Sequence, residues 1–165
     1  MLIKALAVAD RAWAAALVEE RFGSPTVVSR AVLHDTRALP GLVVLEAGER
    51  CGLLQYRSAG GELEVVVVIA CRPRRGIGRR LLERVEEVAR ERGCRWLWLV
   101  TTNDNRPALA FYRAMGWRRC AVRRGAMEEA RRLKPQIPRT GHGGIPIRDE
   151  IEFERLIDRR PRATD

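Results

Sequence analysis

Residues 63–70 read LEVVVVIA, too continuously apolar for a strand with one wet face. Such a run belongs to a strand covered on both sides. Upstream, residues 9–22 space Trp13, Leu17 and Val18 along one helical face, with Asp10 placed to cap the helix and Gly23-Ser24-Pro25 to end it. Residues 26–40 keep no steady period and predict a loop, with a short extended piece at 26–29. Residues 42–47 and 50–57 flank Gly48-Glu49 as a hairpin, and the turn at 58–61 leads into the apolar run, so three strands form a meander. Downstream, residues 78–92 place Leu81, Leu82, Val85, Val88 and Ala89 on one face of a helix that Gly93 stops. WLWLV at 96–100 predicts a second buried strand. TTNDN at 101–105 supplies turn and cap residues for a helix with Pro107 in its first turn and Gly116 at its close. A strand at 117–123 and a short helix at 125–133 follow. KPQIPRTGHGGIPIR at 134–148, with three prolines and three glycines, excludes regular structure. DEIEFERLI at 149–157 predicts a strand with Ile151 and Phe153 inward and its acids outward.

These elements predict one α/β (α+β) domain over residues 1–158 and a disordered tail at 159–165. No run of about 18 apolar residues exists to span a membrane. The N-terminal MLIKALAVADRAWAAAL is apolar enough for a signal peptide, but Asp10, Arg11, Glu19 and Glu20 interrupt it and its alanines suit a helix, so the expected location is cytoplasmic. Cys51, Cys71, Cys94 and Cys120 lack C-x-x-C pairing and neighbouring histidines, which argues for reduced packing residues and no metal. The formal charge is +10, yet only Lys4 and Lys134 are lysines and the arginines are spread over every element. A nucleic-acid surface would cluster its cations and interleave aromatics, so anionic small molecules are the better partners, with a homodimer left open.

The turn after the apolar run, CRPRRGIG at 71–78, is the first candidate for chemistry. Arg79 and Arg80 stand where a P-loop needs Lys and Ser or Thr, and the third glycine of a dinucleotide fingerprint is missing. What remains is Gly76-Ile77-Gly78 among Arg72, Arg74, Arg75 and Arg79, at the start of a helix whose free N–H groups and dipole favour an anion. A purely structural turn fits the same residues.

The later block decides between them. Asn105, Ala108, Phe111-Tyr112 and Gly116-Trp117 resemble the N-x-x-A-x-x-F-Y-x-x-x-G-F/W pattern of the GNAT superfamily of acetyl-CoA-dependent N-acetyltransferases. The glycine turn and the FY helix stand in the family's order, and the resemblance covers about residues 42–123. It implies a GNAT fold: a central mixed, mostly antiparallel sheet, splayed at the cofactor site, with helices on both faces. It also implies acetyl-CoA as cofactor and an amine as substrate. Backbone groups of Ile69, Ala70 and Cys71 would meet the pantetheine arm. Arg74, Arg75, Gly76, Ile77, Gly78 and Arg79 would hold the pyrophosphate, Asn105 would face the cofactor, and Tyr112 would protonate the departing thiolate. Pro73 departs from the family, which commonly has Arg or Gln three residues before the first glycine, and Arg72 or Arg74 is the candidate to substitute for it.

Acyl transfer to an ammonium also needs a base. Glu64 is the first candidate, because a carboxylate is out of character on the apolar strand and histone-type members of the family place a glutamate at a similar point; a strand-start residue facing water is the competing reading. Glu62, His142, Asp149 and Glu150 are rivals. The late segment is similar to the C-terminal extension of a bacterial branch of the family, which implies that His142, Arg148, Asp149 and Glu150 shape the acceptor pocket. A protein of this fold that holds acyl-CoA without turnover is the alternative to an enzyme.

Overall fold

The protein, represented by a computed structural model, is described here over residues 1–157; the tail expected at 159–165 lies outside the described residues. In chain order the elements are β1 (Leu2–Ala5), α1 (Arg11–Phe22), β2 (Thr26–Ser29), β3 (Val32–Asp35), β4 (Gly41–Glu46), β5 (Glu49–Ala59), β6 (Glu62–Ala70), α2 (Ile77–Glu91), β7 (Trp96–Thr102), α3 (Arg106–Ala114), β8 (Arg118–Arg123), α4 (Ala126–Leu133) and β9 (Glu150–Leu156). Seven strands form one sheet in the order β1-β4-β5-β6-β7-β9-β8, and β2 pairs with β3 in a separate hairpin. Every pair of neighbours in the large sheet is antiparallel except β6 with β7. The mixed, mostly antiparallel sheet flanked by helices is the one the resemblance implied.

Alternation along the strands divides the core between two layers. Leu42, Val44, Leu54 and Val65 face α2, whose Leu81, Leu82, Val85 and Ala89 are buried against them. Val43, Leu53, Val67 and Ile69 face α1 through Ala14, Leu17 and Val18. Because β6 is sandwiched between α1 and α2, it carries the most continuous apolar run.

Three stretches differ from expectation. Residues 2–5, to which the sequence assigned no element, form an edge strand on β4. Asp10 does not cap α1: its buried carboxylate accepts from the Ala7 N–H (3.0 Å), from Arg50 Nε (2.8 Å) and from Lys4, and the Lys4 bond above all holds it down at about 2. The loop expected at 26–40 contains the β2–β3 hairpin, turned by Arg30 and Ala31 at φ 47° and 59°. This is a left-handed pair built without glycine or asparagine, so the usual hairpin signal is missing. Among the described residues no helix is long and apolar enough to cross a membrane.

Candidate active site

β6 pairs with β7 only at Glu62, Leu63 and Glu64, and beyond Glu64 the strands part. On its other edge β6 shifts register against β5, so that Val66 has no partner opposite the Gln55–Tyr56 step. An extra residue of this kind bends its strand. β7 meanwhile stays paired with β9 as far as Thr102. The result is a V-shaped cleft of about 670 Å3, with Val65, Val66 and Val68 on one arm and residues 99–102 on the other.

The main chain of β6 offers donors to this opening. The Cys71 N–H is already donated to the Cys51 carbonyl at 2.9 Å, and strand alternation turns the main-chain groups of Ile69 the same way, toward β5. Those of Val68 and Ala70 therefore face the opening. Of the three residues expected at 69–71, only Ala70 turns its main-chain groups away from β5, and it lies outside the cleft lining; Val68, turned the same way, lines the cleft.

Glu64, the last residue of β6 paired with β7, is 3% exposed and lines the apex of the V. It does not face water, as the competing reading required. Its Oε2 lies 3.8 Å from both His34 Nε2 and Arg57 Nη1, while Oε1 has no hydrogen-bond partner. An unpaired buried carboxylate oxygen is costly to keep and is expected where a ligand completes it. His34, on the unforeseen β3, stands behind Glu64. Burial pushes its imidazole below the usual value, the nearby Glu64 carboxylate pulls it up, and Arg57 pushes it down.

At the far end of β7, Asp104 is 2% exposed. It accepts from Thr102 Oγ1 at 2.5 Å, from the His142 N–H at 3.1 Å and faces His142 Nδ1 at 3.1 Å. Burial raises its carboxyl, but the hydrogen bonds from Thr102 and His142 overcome this and hold it below the usual range. Gly141 is required here, since a Cβ would collide with the Asp104 carboxylate. Asp104 is a site residue that the TTNDN motif disguised as a cap. His142 lines the cleft with its side chain 58% exposed.

From α3, Tyr112 and Asn105 line the cleft. Tyr112 stacks among Phe111, Trp117 and Phe153 at centroid distances of 5.4, 6.1 and 5.6 Å, and its hydroxyl has no protein partner among the described residues. Burial pushes the phenol up to about 12. Asn105 caps α3 through Oδ1, which accepts from the Ala108 N–H at 3.3 Å, leaving its amide nitrogen for the cleft.

The glycine turn lies beyond the lining of the cleft, at the end of β6. Gly76 takes φ 73° as the N-cap of α2, and Arg74 takes φ 61°. Arg72 is held by Glu46 (2.9 Å) and Glu49 (2.6 Å), Arg75 by Glu46 (2.8 Å), and Arg79 approaches Glu83 at 3.8 Å. Arg74 has no acidic partner among the described residues. Gly78 has a packing duty: its Cβ would meet Phe111 at 3.2 Å. First-turn N–H groups, a left-handed glycine and an uncommitted arginine suit a pyrophosphate.

A family model described as "Acetyltransferase (GNAT) family" matches residues 8–117, two thirds of the chain. The chain belongs to the GNAT acetyltransferase family. The uncharacterised protein YdhI of Bacillus subtilis (strain 168) is 39% identical over 140 residues, which cover 84% of this chain and 88% of YdhI. The ribosomal-protein-S18-alanine N-acetyltransferase of Escherichia coli shares the fold with a TM-score of 0.67 at 18% identity, covering 99% of this chain and 98% of that one. A GNAT family acetyltransferase from Elizabethkingia anophelis, solved with acetyl-CoA bound, has a TM-score of 0.64 at 19% identity over 72% of this chain and 76% of that one. As a GNAT acetyltransferase this protein is an acyl-transfer enzyme.

Within this GNAT fold the late acidic residues are placed differently from expectation. Two of the three acids of β9 do not face outward: Glu150 and Glu152 are buried because cations meet them there, while Glu154 stays partly exposed. Glu150 accepts from the Arg30 N–H and from Arg123 Nη1, both at 3.1 Å, and Glu152 from Arg30 Nε (2.5 Å) and Arg123 Nη2 (3.1 Å). Glu150 lines the cleft with both oxygens committed. Arg148 and Asp149 lie outside the lining; Asp149 Oδ1 instead accepts the Gly125 N–H at 3.0 Å, at the start of α4. Glu62 borders a smaller depression with Trp96 and Trp98, away from the cleft.

Proposed function

We propose that this protein transfers an acetyl group directly from acetyl-CoA to an amine, with Glu64 as general base and Tyr112 as general acid. The observation that carries the assignment is the unpaired Glu64 oxygen at the apex of the cleft. The α2 N-terminus with Gly76 and Arg74 fits the pyrophosphate, and the parted strands fit the pantetheine arm between Val68 and the Tyr112 wall. Acetyl-CoA supplies the acetyl group as a thioester. Glu64 takes one proton from the acceptor ammonium, which frees the nitrogen lone pair for attack. Main-chain N–H groups of Val68 and Ala70 steady negative charge on the carbonyl oxygen. The Tyr112 hydroxyl gives its proton to the leaving sulfur as the C–S bond breaks, and the second proton that the nitrogen must lose to become an amide returns to the Tyr112 phenolate, so the one proton released overall is the one held by Glu64. The burial that raises the phenol raises a thiol in the same cleft as well, so the shift alone does not oppose that transfer.

His142 supports a second reading of the base, because Asp104 can orient its ring through Nδ1 and leave Nε2 as an acceptor toward the cleft. The pH dependence of turnover in Glu64→Gln and His142→Gln separates the two, since only loss of the true base removes the acidic limb. With all four cysteines free, the protein suits the reducing cytoplasm. Acetyl transfer itself is tested by thiol release over a panel of amines, with product mass confirming the acetylated nitrogen. Binding of acetyl-CoA without release for any amine refutes it.

A further inference from the structure

Lys134 is the strangest residue in the cleft. It follows the last residue of α4, is 4% exposed, and lines the wall with Gln136 and Ile137. Its Nζ donates to the Thr26 carbonyl at 2.6 Å and lies 5.9 Å from the Phe22 ring centroid, and no carboxylate reaches it among the described residues. An ammonium has three donors, and here a single protein acceptor is in place. The chain uses arginine for every other cation except Lys4, which is paired with Asp10. A lysine kept here marks a place for a compact point charge that a planar guanidinium would not fill.

The acids of the cleft do not answer this charge. Asp104 is engaged by His142 and Thr102, Glu150 by Arg30 and Arg123, and Glu64 sits against His34 and Arg57. Between the poles, Val27, Val28, Met127 and Ile147 make the wall apolar. One polar atom interrupts it: the Ser29 hydroxyl is buried without a partner. Two orphaned groups and an under-used ammonium on one surface describe the complement of a ligand.

We propose that the acceptor is a small amine that also carries an anionic oxygen group, carboxylate or phosphate, bound by Lys134 while the amine is presented to Glu64. This rests on the acetyl-transfer reading for the role of Glu64, but the anion site stands by itself. Burial pushes the Lys134 ammonium below its usual range, and an anion beside it reverses that push. Ser29 offers the ligand a third polar contact in the same cleft.

The test exploits the scarcity of lysine. Protein labelled with 15N-lysine has two side-chain amines, Lys4 and Lys134, and Lys134→Met assigns them. The probes are straight-chain ω-amino carboxylates from glycine to 6-aminohexanoate, the matching amides, and 2-aminoethyl phosphate. The amino acids or the phosphate should move the Lys134 signal and raise its titration midpoint, with Lys4 unmoved and the amides inert. Thiol release should favour the same anionic probes over their amides by tenfold or more, and this ratio should collapse in Lys134→Met. Carboxylate and phosphate arms identify which anion is preferred. A Lys134 signal that responds alike to anions and amides, or to none of them, overturns the proposal, even if some amides are acetylated. A shifted Lys134 signal with no thiol release from any probe upholds the anion site and removes the acetyl-transfer reading instead.

Discussion

Glu64→Gln is the perturbation in which structure and chemistry make opposite demands. The side chain keeps its shape and loses its charge. In the folded protein that charge is 3% exposed, Arg57 and the imidazole of His34, whose cationic form burial disfavours, stand at 3.8 Å, and one oxygen has no partner. Pairs this long return little of the cost of burying a carboxylate, so its removal should change stability by no more than about 1 kcal/mol and can raise it. Activity should respond in the other direction. Loss of a positioned general base costs about 100-fold to 10,000-fold in rate, or about 3–5 kcal/mol of barrier. The assay is kcat/KM for thiol release between pH 5 and 10, with acetyl-CoA affinity and thermal midpoint measured on the same samples. The variant should melt near the parent, bind acetyl-CoA equally, and turn over slowly with its acidic limb gone. A folded variant with parental rates and an unshifted profile refutes the assignment of Glu64 as base.

Other outcomes follow from the same geometry. Tyr112→Phe removes a hydroxyl that has no protein partner, so it should leave the melting temperature within a degree or two while slowing transfer by about 100-fold or more; equal turnover would exclude its acid role. Gly141→Ala drives a Cβ into the Asp104 carboxylate and should break the His142 contact, with a loss of about 1–3 kcal/mol seen in denaturant unfolding. The folded-state pKa of His34 lies below 6.5, so the unfolded chain takes up this proton first and stability is lost as pH falls from 6.5 through the folded value; His34→Gln should flatten that part of the stability profile. Gly76→Ala, forced to φ 73°, should cost about 1 kcal/mol of stability and weaken acetyl-CoA binding, read by calorimetry.

The elements around the glycine turn and the FY helix were legible because their signals are local. The continuous apolar run of β6 and the one-sided pattern of α2 follow from the layers that cover them, and the glycine turn and FY helix carry fixed spacing. The opposite wall of the cleft depends on distant partners. Glu150 and Glu152 alternate like solvent-facing acids, yet Arg30 reaches them from 120 residues away. The β2–β3 hairpin hides behind a turn of Arg and Ala, and with it His34 escaped notice. Asp104 belongs to a run rich in capping residues, and nothing in that run distinguishes a buried carboxylate from an exposed one. Lys134 opens a stretch of prolines and glycines whose irregularity is visible in sequence, but the carbonyl that holds it belongs to Thr26. The divergence of β6 from β7 rests on an unpaired Val66, which no side-chain pattern announces.

The most direct measurement is the joint yield of free coenzyme A thiol and N-acetylated amine when the purified protein is given acetyl-CoA and a panel of cationic, neutral and anion-bearing amines. The account predicts that thiol and acetylated amine appear in equal amounts for at least one class, at a rate that falls at least 100-fold in Glu64→Gln. Tight binding of acetyl-CoA with no acetylated amine from any class would contradict it.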